Sequence, residues 1–178
     1  MEERGARLEP INAAGSPAVS DKQSAEDNPA ATALRAWDQR TVTEVLQFRG
    51  ETTIVVPREH IVRAAQYLQA EPSLQFTFLS DIAAVDRFPI EPRFEINYHL
   101  LSISNRQTVR LRVWVAGHDA TVPTVIPVWP TANWHEREIF DLFGIRFEGH
   151  PEMHRILMPD DWEGHPLRKD YPVEGYRT

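Results

Sequence analysis

The sequence predicts an α+β domain. A βαβββ-type unit carries helices on one face of a mainly antiparallel sheet, and a short helix and an extended, proline-rich C-terminal tail follow it. Three observations lead there. Between residues 52 and 70 a β-branched run gives way to an amphipathic helical pattern. Between 74 and 117 three segments are strand-like, with the two-residue alternation of half-buried strands. Beyond Gly117 prolines multiply and only one further helical stretch stands out.

Residues 1–33 are rich in Ala, Ser, Pro, Asn and charge, with few large apolar groups to offset the entropy of ordering. They read as a flexible extension whose removal leaves folding nearly unchanged. Order is expected to begin near Trp37, with the main domain over 34–144. In "DQRTVTEVLQFRG", Val42, Val45, Leu46 and Phe48 fall at roughly helical spacing, and Gly50 suits a helix C-terminus. "TTIVVP" reads as a strand stopped by Pro57. "REHIVRAAQYLQAEP" places Ile61, Ala64, Ala65 and Leu68 on one helical face and stops before Pro72. In "LQFTFLSDIAAVD", Leu74, Phe76 and Phe78 share one side of a strand. Phe94, Ile96, Tyr98 and Leu100 do so in the next strand, and Val109, Leu111, Val113 and Val115 in the one after, with Arg110 and Arg112 outside. "SNRQ" joins those two as a hairpin turn. The last helix contains "NWHEREIFDLF" and ends at Gly144; residues 145–178 form the extended tail.

A chain of 178 residues, 42% hydrophobic and 25% charged, is long enough to bury one sizeable core. Its net charge of −7 argues against nonspecific binding to nucleic acid or anionic lipid. With no cysteine, the chain can form no disulfide, thiol nucleophile or thiolate-held cluster. No apolar run approaches the roughly 18 residues of a transmembrane helix, and residues 1–31 lack the apolar stretch of a secretory signal.

The chemistry-bearing residues gather between 134 and 176. "HEREI" begins like the zinc-protease motif HExxH, but Ile139 stands where the second histidine belongs. His150 and His154 are four apart, with His165, Asp160 and Asp161 beyond; they would share a metal only if a helix stacked them. Glu138 and Asp141 share a helical face and would serve either as an acid–base pair or as ion-pair partners of arginines. No phosphate loop or dinucleotide fingerprint is present. Trp134, Phe140, Phe143, Phe147, Met153, Met158, Trp162, Tyr171 and Tyr176 accompany Arg155 and Arg168, a composition typical of interface cores. Composition alone does not distinguish a docking tail from one that wraps its own domain.

The segment from His135 to Tyr176 resembles the signature of the 30-kilodalton subunit of respiratory complex I, the bacterial C subunit of the proton-pumping NADH–quinone oxidoreductase. The matching pattern falls on Glu136, Arg137, Glu138, Asp141, Gly144, Phe147, His150, Pro151, Arg155, Ile156 and Leu157. It continues through Asp160, Asp161, Trp162, Gly164, Pro166, Leu167, Arg168, Lys169, Asp170, Tyr171 and Pro172. The upstream strand and helix order is similar too, so the resemblance covers about residues 37–176 and looks like the stand-alone form of the subunit.

The resemblance implies a peripheral-arm subunit with no flavin, cluster or catalytic group of its own; the flavin, iron–sulfur clusters, NADH and quinone belong to partner subunits. It implies docking on the large 49-kilodalton-type quinone-site subunit near the cluster-bearing chains, at the cytoplasmic face of the bacterial inner membrane. Contact with the membrane would come only through the complex. The signature residues would then form the partner interface or hold the tail in place. Membrane-bound hydrogenases and complexes using another electron donor contain similar subunits, which leaves the donor open. A stand-alone His/Asp metal enzyme is the remote alternative.

Overall fold

The computed structural model describes residues 28–176. The extension over residues 1–27 and the last two residues lie outside them. Five strands form one sheet in the order β1-β2-β5-β4-β3: β1 (Glu44–Phe48), β2 (Glu51–Val55), β3 (Phe78–Asp86), β4 (Phe94–Ser102) and β5 (Gln107–Val115). Three pairings are antiparallel; only β2 with β5 is parallel. Helix α1 (Pro29–Trp37) precedes the sheet, α2 (Ile61–Ala70) makes the crossover from β2, and α3 (Ala132–Phe143) follows it. Two three-residue strands, β6 (Thr121–Pro123) and β7 (Arg146–Glu148), pair in parallel beside α3.

The α+β class and the strand–helix order from 51 to 115 agree with the sequence. Phe94, Ile96, Tyr98 and Leu100 of β4 are buried, as are Val109, Leu111, Val113 and Val115 of β5. They form one core with Ile61, Ala64, Ala65 and Leu68 of α2. On the other side of the sheet Arg112 pairs with Glu95 at 2.9 Å, and Arg110 pairs with Glu51. The 102–107 connection is the expected hairpin, with Ser102 opposite Gln107.

Four expectations are corrected. Residues 42–50 do not form a helix: β1 pairs antiparallel with β2, and Phe48 faces Glu51 across a two-residue turn. Arg49 and Gly50 have φ of 51° and 83°, the left-handed pair that suits a tight hairpin, so Gly50 marks a hairpin turn rather than a helix end. Residues 28–33 are not part of a flexible extension. Asn28 caps α1 by accepting from the amides of Ala30 and Ala31, and Ala30, Ala31 and Leu34 are buried. Phe78 does not share a side with Leu74 and Phe76: those two are buried ahead of β3, and a bulge between Leu79 and Asp81 turns Leu79 and Ile82 inward, leaving Phe78 46% exposed. Finally, the segment from 145 begins as part of the domain, because Ile145 and Phe147 are buried and β7 pairs with β6.

Candidate docking surface

Helix α3 starts just beyond Pro130. Ala132, Glu136 and Ile139 recur at helical spacing and are buried. Its other side carries Trp134 and Glu138, both exposed. Asp141 lies two turns beyond Trp134 on that same side, yet it is fully buried because the tail covers it. Gly144 ends the helix with φ +72°, and a Cβ there would come within 2.5 Å of the His165 ring and 2.7 Å of the Arg168 guanidinium. The helix end and the tail therefore fit only around a glycine.

Asp141 organises the tail. Its Oδ2 accepts the amides of Ile156, Leu157 and Met158 at 3.0, 2.8 and 2.9 Å, and its Oδ1 accepts Arg155 Nη1 at 2.8 Å. Burial alone would raise this carboxyl, but the three amides and the guanidinium outweigh it and hold it below the ordinary aspartate value. Arg155 also donates to the Gly164 carbonyl at 3.0 Å, and His165 Nδ1 lies 2.9 Å from the Asp141 carbonyl. Gly164, with φ +75°, packs where a Cβ would meet the Tyr176 and Tyr171 rings at 2.7 and 2.9 Å. The Leu167 amide donates to Leu142 O, and Arg168 Nε donates to Phe143 O while its guanidinium lies over Phe94.

A second anchor joins the tail to the β3–β4 connection. Arg93 grips Asp86 with Nε and Nη2 at 2.9 and 2.7 Å, and Asp170 with Nη1 and Nη2 at 2.8 and 2.6 Å. The Lys169 amide adds a bond to Asp86 Oδ2 at 2.9 Å. Asp86 is almost completely buried; its burial is outweighed by Arg93 and by the Lys169 and Phe88 amides, which hold it at about 2. Sequence reading missed Asp86 and Arg93. Their only signal is an acid and a base flanking the prolines of "DRFPIEPR".

The remaining signature residues divide by position. Glu136 is fully buried on the inner face of α3; burial pushes it up to about 7, although Thr124 Oγ1 and the Val125 amide bond it. Arg137 donates to His154 O at 3.2 Å and lies over the Trp134 ring. His150 Nδ1 accepts the Glu152 amide, and its Nε2 faces Asn133 O at 3.4 Å. Pro151, Asp160 and Asp161 are exposed, whereas Trp162 and Pro166 are half-buried. Glu138 and Asp141 share no cleft, since one faces solvent and the other is enclosed. The stretch holding His150 and His154 is not helical, so the two rings are not stacked on one helix face. Among the described residues no group of three His, Asp or Glu could hold a metal ion.

Comparison with known proteins decides the family. Residues 54–177 match the profile of the respiratory-chain NADH dehydrogenase, 30 Kd subunit. The chain belongs to that family. It is 52% identical over 140 residues to the NADH-quinone oxidoreductase C subunit of Roseiflexus sp. (strain RS-1), covering 79% of this chain and 80% of the relative. The corresponding C subunit of Geobacter sulfurreducens is 45% identical over 152 residues, 85% and 93% of the two chains. The fold is similar to the trypsin-resistant fragment (1-134) of Nqo5, with a TM-score of 0.57 and 33% identity over 68% of this chain and 94% of that one. It is also similar to a chain of the archaeal membrane-bound sulfane sulfur reductase, with a TM-score of 0.66 and 26% identity over 80% and 83%. This 30-kilodalton-type chain is a complex I subunit and works with the other subunits of the NADH–quinone oxidoreductase; the catalytic site of that enzyme is not in this chain alone. Among its described residues no helix is long and apolar enough to cross a membrane.

Proposed function

We propose that this subunit docks on the large 49-kilodalton-type quinone-site subunit through the outer side of α3 and the tail laid along it. In this reading it holds no flavin or cluster, and it supports electron transfer from NADH to quinone by shaping the peripheral arm at the cytoplasmic face of the membrane. The observation that carries the reading is a division of the signature. Asp141, Arg155, Arg168 and Asp170 bond within the chain and set the shape of the tail, while Leu157 and Leu167 of the signature stay 58% and 51% exposed and Trp134, just ahead of it, 62%. Glu138 lies one turn beyond Trp134 on α3, and the Leu157 amide is bonded to Asp141, one turn further along that same side. Large apolar groups on a firmly held scaffold are what a subunit interface uses. The identities favour NADH as the donor, being 52% and 45% to NADH-quinone oxidoreductase chains against 26% to the sulfane sulfur reductase chain.

Affinity purification of the tagged chain from native membranes tests this. The large subunit, flavin and cluster-bearing chains, and NADH–quinone activity should come along. Recovery of the chain without them, or with a hydrogenase or another donor module, would refute the assignment.

A further inference from the structure

Two buried carboxyls on α3 have opposite surroundings. Asp141 meets a guanidinium and three amides. Glu136 meets only neutral groups: the Val125 amide donates to Oε1 at 2.8 Å, and Thr124 Oγ1 lies 2.5 Å from Oε2. Among the described residues no cation pairs with it. The group that faces it from β4 is the Tyr98 hydroxyl, which is buried, interacts electrostatically with Glu136 and has no hydrogen-bond partner. The neighbouring imidazole and guanidinium along α3 are turned elsewhere, His135 to Asp81 of β3 and Arg137 to His154 O and the Trp134 ring. Thr124 Oγ1 also accepts the Ile126 amide at 3.2 Å, so its oxygen is held beside Glu136 with a further lone pair open to an acid proton.

We propose that Glu136 is carried as a neutral carboxylic acid whose O–H donates to Thr124 Oγ1, which makes the seat of α3 on residues 124–126 a proton-dependent latch. A carboxylate enclosed without a cation is strongly disfavoured, whereas the neutral acid keeps both of its oxygens bonded here. The folded chain therefore keeps this proton up to about pH 7, and the unfolded chain releases it near 4.5. A raised carboxyl stabilises the fold fully below 4.5. That contribution falls as pH rises between the two values, by about tenfold in the folded-to-unfolded ratio per pH unit, and is gone above 7. Asp141 is held low and stays ionised throughout this range.

Infrared spectroscopy of the full chain, with denaturant titrations from pH 5 to 8.5, tests it. At pH 6 a protonated-carboxyl C=O band is expected. It should fade above pH 7, be missing in Glu136→Gln and shift in Thr124→Val. Between pH 5 and 7 the wild-type folded-to-unfolded ratio should drop by more than tenfold relative to Glu136→Gln. Absence of the band in the wild type at pH 6 overturns the proposal even if the Gln variant fails to fold. A Thr124→Val band identical to wild type overturns the hydrogen-bond assignment, and parallel titrations of wild type and Glu136→Gln overturn the latch.

Discussion

Asp86 and Arg93 show how much a single pair does here. Removing the guanidinium leaves a carboxylate that is only 3% exposed with no cation. Arg93→Ala is therefore expected to destabilise the free subunit by about 3–5 kcal/mol in chemical denaturation, and to release Asp170 with the tail. The acid limb has a definite sign. Asp86 is held at about 2 when folded against an ordinary 3.8, so its contribution is complete above 3.8 and is lost as pH falls towards 2. That amounts to roughly 2 kcal/mol, and Asp86→Asn should show a flatter stability curve over this range. Asp141, also held low, keeps its own acid sensitivity in that variant. Arg168→Ala is expected to lower the stability of the free subunit by about 1–2 kcal/mol, because its guanidinium is spent on Phe143 O and the Phe94 ring. Asp141, Arg155, Arg168 and Asp170 were singled out in the sequence, and so was the glycine that ends α3, whereas Asp86 and Arg93 were not. Which charges pair within the chain was not legible, because Arg93 and Asp170 stand 77 positions apart. Long-range pairing leaves no local period to read.

At the scale of elements, legibility followed periodicity. Strands β4 and β5 alternate cleanly, because one side is core and the other carries Arg110, Arg112 and Glu95. Strand β1 is an edge strand with Val45 as its one buried residue, so its chance helical spacing outweighed a weak strand signal. Helix α1 was hidden because Ala30 and Ala31 bury little bulk and Leu34 is its one large buried side chain, in a composition that reads as flexible. Its packing has a measurable consequence: Leu34→Ala is expected to cost about 2–4 kcal/mol, which lowers the melting temperature by roughly 5–15 °C. Truncation through residue 33 should therefore damage the fold, and an unchanged melting temperature would show that α1 contributes nothing. Gly144→Ala tests how α3 fits the tail. The positive φ alone costs about 1 kcal/mol, and His165 and Arg168 must also move. Faster tryptic cleavage beside Arg168 and Lys169 is the expected readout.

For the whole molecule, the structure separates what holds the tail from what the tail presents. Asp141, Arg155, Arg168 and Asp170 are bonded within the chain, so on the proposed reading the tail meets its partner already shaped. Preorganisation of this kind lowers the entropy lost on association. On the proposed reading the outward residues Trp134, Glu138 and Leu157 carry the docking, and Leu167 on the tail is exposed as well. Capture of the chain on the purified large subunit, with thermal melts of the free chain alongside, tests whether these exposed residues carry the docking. Trp134→Ala combined with Leu157→Ser is expected to weaken capture by at least about thirtyfold, equivalent to 2 kcal/mol or more, with a melting temperature within a few degrees of wild type. Undiminished capture by that variant, at equal melting temperature, would contradict the account and place the interface elsewhere on the subunit.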